Sequence, residues 1–76
     1  MEERLKEFHQ FINDIWQFYK QNADVKQTDE YWHRVVQEAG EIYEKYRRNE
    51  SMKKIILDVI EILEEEDKKQ WQKSNV

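Results

Sequence analysis

An all-α fold, an antiparallel three-helix bundle, is what this 76-residue sequence predicts, and three observations carry the prediction. The chain has one Gly and no Pro, a composition that favours long helices over hairpins. Its large apolar residues recur at spacings of three and four in three successive segments. Between those segments lie only two short polar connections, which set consecutive helices side by side and antiparallel.

The first helix is predicted over about residues 2–22. Leu5, Phe8, Ile12, Ile15 and Tyr19 alternate three and four apart and form the expected seam, and Phe11, Trp16 and Phe18 widen it on both sides. Glu3 and Glu7 lie four apart with like charge, so this helix depends on packing more than on surface ion pairs. From Ala23 to Gln27 the pattern breaks, as a connection between antiparallel helices requires.

The second helix, predicted over about 28–48, is the clearest. Tyr31, Trp32, Val35, Val36, Ala39, Ile42, Tyr43 and Tyr46 fall in an arc of roughly 140°, opposite charged and amide side chains. Thr28 is the expected N-cap, with Asp29 and Glu30 on the positive end of the helix dipole and Arg47 and Arg48 on the negative end. Gly40 interrupts this helix at a cost of about 1 kcal/mol relative to Ala, and close approach of another backbone would rationalise it. At Asn49-Glu50-Ser51, Asn49 is expected to take a left-handed conformation and Ser51 to cap the third helix.

That third helix, predicted over about 51–71, is the most apolar. Met52, Ile55, Ile56, Leu57, Val59, Ile60, Ile62 and Leu63 cover roughly 220° of its wheel, wider than one core-facing stripe. Length and the absence of turn signals favour helix over a buried strand. With Ile55, Val59 and Ile62 facing the core, Leu57 and Ile60 point away from its centre, as Phe11 and Phe18 do on the first helix. These four are the candidate partner-binding residues, because surplus apolar surface marks a protein partner or a second copy of the chain, a possible homodimer. Glu66 and Asp67 stand at positions of the apolar stripe, with Trp71 as a last anchor and 72–76 as a frayed tail.

Composition excludes several function classes. One domain and one core fit in this length, and with no Cys there is no disulfide, so ten aromatic residues are the means of enlarging the core. A net charge of −4, spread evenly over the three segments, argues against a dedicated nucleic-acid binder. No apolar run approaches the roughly 20 residues of a membrane span, and MEERLKEF lacks the apolar core of a signal peptide, so a cytoplasmic, soluble protein is expected.

Chemistry-bearing motifs are sparse. Glu30 and His33 have the E-x-x-H spacing of carboxylate-bridged di-iron bundles, but the motif occurs once and on the polar face, so no metal and no cofactor are expected. His9 reads as an edge residue of the first helix. There is no Cys nucleophile and no Gly-rich phosphate loop, and the two Ser residues are an expected cap and a tail residue, so no catalytic residue is assigned and an enzyme is not expected. Arg47, Arg48, Lys53 and Lys54 form the tightest basic patch and are the candidate anion-binding residues. The N-terminal Glu2, Glu3 and Glu7 return to the same end of an up-down-up bundle and offer an internal counter-charge. A helix-turn-helix reading of the second and third helices lacks the usual Gly in the turn and would lay a strongly apolar helix in a groove.

The segment TDEYWHRVVQEAGEIYEKY, the short connection and Ile-rich helix after it, and the first-helix run FHQFINDIW resemble small uncharacterised helical proteins encoded in prophages and mobile elements of Firmicutes. The resemblance covers most of the chain and rests on pattern. It implies an accessory protein that binds a host or phage protein, and it brings no assigned activity and no functional residues. The function expected is a small non-catalytic protein-interaction module, with nucleic-acid or anion binding through the basic connection as the alternative.

Overall fold

The computed structural model describes the backbone of residues 2–74 and the side chains of 2–70. Three helices, α1 (Glu3–Asn22), α2 (Asp29–Lys45) and α3 (Glu50–Ser74), each pack against the other two in an all-α three-helix bundle. The bundle is 19 Å across in both short directions, the width that three helices with axes about 8 to 10 Å apart produce.

α1 buries Phe11, Ile15, Phe18 and Asn22, a stripe of four, three and four. This differs from the expected seam, of which Leu5, Phe8 and Ile12 are exposed and Tyr19 is half buried. Phe11 and Phe18, expected to look outwards, are 0% and 3% exposed and belong to the core. The reason lies on α2. The Phe11 ring meets the Tyr46 ring edge-on, centroids 5.2 Å apart at 82°, a favoured geometry for two quadrupolar rings.

Asn22 is the second determinant of how α1 is turned. Among the described residues it is the buried polar side chain of the core, at 0% exposure, and it is fully bonded. Its Nδ2 donates to the Phe18 carbonyl and to Glu38 Oε1, both at 2.9 Å, and its Oδ1 accepts from Arg34 Nε at 3.3 Å. Its backbone carbonyl, left without a helical partner at the end of α1, accepts from the Tyr31 hydroxyl at 2.7 Å. Buried Val25 pins the connection between α1 and α2 to the core. As expected, Thr28 caps α2, its Oγ1 accepting from the Tyr31 N–H at 3.2 Å.

α2 buries Tyr31, Val35 and Ala39, with Tyr46 just beyond its end. Trp32, Ile42 and Tyr43 are half buried, and only Val36 of the expected arc is exposed. Gly40 is exposed, and a Cβ built there would meet nothing within 4 Å, so no neighbouring helix requires it. The helix stops three residues short of the expected 48. Arg47 and Arg48, both at φ 58°, take the left-handed conformation assigned to Asn49. The Arg48 N–H reaches the Tyr43 carbonyl at 2.9 Å and the Arg47 N–H the Glu44 carbonyl at 3.1 Å, the paired bonds of a Schellman stop. Asn49 is released to cap α3, its Oδ1 accepting from the Met52 N–H at 3.0 Å, and Ser51 lies inside the helix instead of capping it.

α3 buries Met52, Ile56 and Leu63, with Ile55, Val59 and Ile60 packed against that core. Ile62, expected inside, is exposed. Asp67 does stand on the inward side, half buried, and its backbone carbonyl accepts from Gln27 Nε2 at 3.2 Å. α3 starts one residue before the expected 51 and continues through 72–74, where a frayed tail was expected. The Trp71 side chain and residues 75–76 lie outside the described residues.

Candidate interaction surface

The surface feature that the fold leaves unexplained is on α1. Leu5, Phe8, Ile12 and Trp16 are 54%, 47%, 41% and 54% exposed. Their spacing of three, four and four places them within roughly 80° of one another on the helix, a single stripe. Two tertiary contacts fix where the stripe points. On its other flank α1 presents Asp14 to α2, where it accepts hydrogen bonds from Lys45 Nζ at 2.8 Å and from the Tyr46 hydroxyl. The stripe therefore lies on the flank away from α2, bordering the groove between α1 and α3.

α3 contributes to the same groove. Lys53 Nζ lies 5.8 Å from the centroid of the Tyr43 ring, which turns the Lys53 and Leu57 flank of α3 towards α2. Ile55 and Ile62 occupy the opposite flank, facing α1, and Ile62 is half exposed. Of the expected partner-binding residues, Leu57 is exposed and Ile60 half buried against the core, while Phe11 and Phe18 are enclosed. The exposed apolar surface is thus centred on α1 residues that the hydrophobic pattern assigns to the core.

In the basic connection, three of the four side chains have local counterparts. Arg48 Nε pairs with Glu44 Oε1 at 2.9 Å, and Lys53 sits over the Tyr43 ring. Arg47 borders an open cleft of about 670 Å³ whose walls carry Glu3, Glu7, Lys6 and Lys45. The start of α1 therefore does return to the basic end, and the cleft is lined by both signs of charge. Lys54 is exposed.

Glu30 and His33 are both exposed on α2, and among the described residues no group of three or more His, Cys, Asp and Glu is placed to hold a metal ion. His9 is exposed at the rim of the charged cleft. Among the described residues no helix is long and apolar enough to cross a membrane.

Asp14, Tyr46 and Lys45 meet at the contact between α1 and the end of α2. Burial works to raise the Asp14 pKa, but hydrogen bonds from Lys45 and Tyr46, with the Lys45 charge, outweigh it, and the carboxyl titrates below its usual 3.8. Burial, followed by the bond to Asp14 and its negative charge, drives the Tyr46 phenol well above its usual value. Burial likewise raises Tyr31, and the bond to Glu50 Oε2, 2.7 Å long, raises Tyr43. These groups tie helices together. No family model, curated protein or solved structure matches this chain.

Proposed function

We propose that this chain is a small, non-catalytic helical protein-interaction module whose contact surface is the apolar stripe of α1, and that it serves in the cytoplasm as an accessory protein of a phage or mobile element. The observation that supports the reading is the stripe of Leu5, Phe8, Ile12 and Trp16, four large apolar side chains each at least 41% exposed on one helix face. Contiguous apolar surface of more than a few hundred Å² is uncommon on soluble monomers and marks interaction sites. Aromatic residues at such a patch supply contact area at small conformational cost.

Anion or nucleic-acid binding at Arg47, Arg48, Lys53 and Lys54 is the weaker reading. Arg48 and Lys53 already have partners on α2, and beside Arg47 the cleft sets Glu3 and Glu7 among its cations as internal counter-charge.

Photo-crosslinking tests the proposal. A benzophenone side chain placed at Ile12 in the full chain is expected to give polypeptide adducts, to this chain or to another protein, well above those from the same group at exposed Glu41 on α2. Adducts no more abundant at Ile12 than at Glu41 would overturn it.

A further inference from the structure

The α1 stripe has a property beyond its exposure: it is complementary to itself. A two-fold axis crossing α1 at right angles between residues 10 and 11 brings Leu5 opposite Trp16 of a second copy and sets Phe8 within one residue of Ile12. Small apolar meets large apolar along the whole stripe, and the same contacts recur on both sides of the axis, as an isologous interface requires. The polar border agrees. At 100° per residue, Lys20 lies on the outer edge of the stripe near the C-terminal end of α1, and Glu2 is the N-cap at the other end of the helix. The same axis places each Glu2 within one residue of Lys20 on the second copy, whereas parallel pairing would set Glu2 against Glu2 and Lys20 against Lys20.

Neither group has a strong partner at home. Glu2 makes a 3.7 Å contact with exposed Arg4, and Lys20 Nζ lies 5.8 Å from the centroid of the Trp16 ring. The outer edge between them carries Lys6, His9 and Asn13, without a carboxylate opposing a carboxylate. Ile62, on the flank of α3 that borders the stripe, extends the apolar surface on the inner side.

We infer that the stripe takes a second copy of this chain, in a two-fold dimer whose centre is an antiparallel pair of α1 helices, with Leu5 against Trp16, Phe8 beside Ile12 and Glu2 against Lys20. The inference rests on the protein-interaction reading and names its partner.

Sedimentation equilibrium of the purified full chain is expected to show a monomer–dimer equilibrium. Phe8→Glu and Trp16→Glu, each with unchanged helical circular dichroism, should raise the dissociation constant by roughly tenfold or more. Lys20→Glu should weaken the dimer and Glu2→Lys in the same chain should restore it, which a generic hydrophobic association would not do. The chain has no Cys, so single cysteines report orientation. His9→Cys, beside the axis, should oxidise readily to a disulfide-linked dimer and Lys20→Cys should not, since its two copies stand roughly 28 Å apart. A wild-type chain that stays monomeric at all concentrations, or a dimer in which Lys20→Cys crosslinks as fast as His9→Cys, overturns the inference. A monomer whose Ile12 position still crosslinks another protein would remove the dimer and leave the interaction reading intact. Loss of crosslinking as well would remove both.

Discussion

Tyr46, one residue past the end of α2, donates its phenol hydrogen to Asp14 in the middle of α1, while the ring of the same tyrosine closes edge-on over Phe11. One side chain thereby supplies both an apolar and a polar tie between the two helices. Tyr46→Phe keeps the ring and deletes the hydroxyl, and it should destabilise the fold by about 1 kcal/mol in urea titration. Tyr46→Ala, which also empties the space against Phe11, should cost about 3 kcal/mol or more.

The same contact gives stability a dependence on pH at both extremes. Asp14 titrates below its unfolded value of 3.8, so its contribution is complete above that pH and is lost as pH falls through the lower folded value. Tyr46 titrates above its unfolded value of 10.0, so its contribution is complete below about pH 10 and declines as pH rises towards the folded value. Denaturation midpoints measured across pH should fall less steeply on the acid side in Asp14→Asn and less steeply on the alkaline side in Tyr46→Phe than in the wild type.

Asn22 should be intolerant of apolar replacement in spite of its place in the core. Asn22→Leu leaves the Phe18 carbonyl, Glu38 and Arg34 without the partner each has in the fold. A loss of about 2 to 3 kcal/mol is expected by chemical denaturation, larger than that of a surface Asn.

Two substitutions should stabilise the protein. Gly40 sits in open space at an exposed helical position, so Gly40→Ala should add about 0.5 to 1 kcal/mol. Arg47 holds a left-handed conformation that costs a residue with a Cβ about 1 kcal/mol, and Arg47→Gly should recover much of it. Higher melting temperatures in both variants are the expected result. A close backbone neighbour supplied by a partner would make Gly40→Ala weaken that association instead.

α2 was almost wholly legible in the sequence because its apolar arc is narrow, and only one rotation buries Tyr31, Val35, Ala39 and Tyr46 together. α1 and α3 were legible as helices but not in their rotation. On α1 the sets Phe8, Ile12, Ile15, Tyr19 and Phe11, Ile15, Phe18, Asn22 have the same spacing and share Ile15. The first looks better to a hydrophobic pattern because the second ends in an amide. What selects the second is the carboxylate of Glu38 and the guanidinium of Arg34 across the interface, information that no single-helix wheel contains. α3 repeats the difficulty: its wide arc accommodates both Ile55, Val59, Ile62 and Met52, Ile56, Leu63 as inward sets. The candidate surface is a product of the same rotation. A rotation of α1 by roughly 70° from the expected seam encloses Phe11 and Phe18 and uncovers Leu5, Phe8, Ile12 and Trp16.

The dibasic bend between α2 and α3 carries a practical corollary. Arg47 and Arg48 are exposed, yet their left-handed backbone is the reverse of the extended strand that a trypsin-like protease must grip. Cleavage at this pair therefore waits for the bend to straighten, which breaks the stop of α2 and frees the start of α3. The rate of cleavage at this pair reports how often the bend opens.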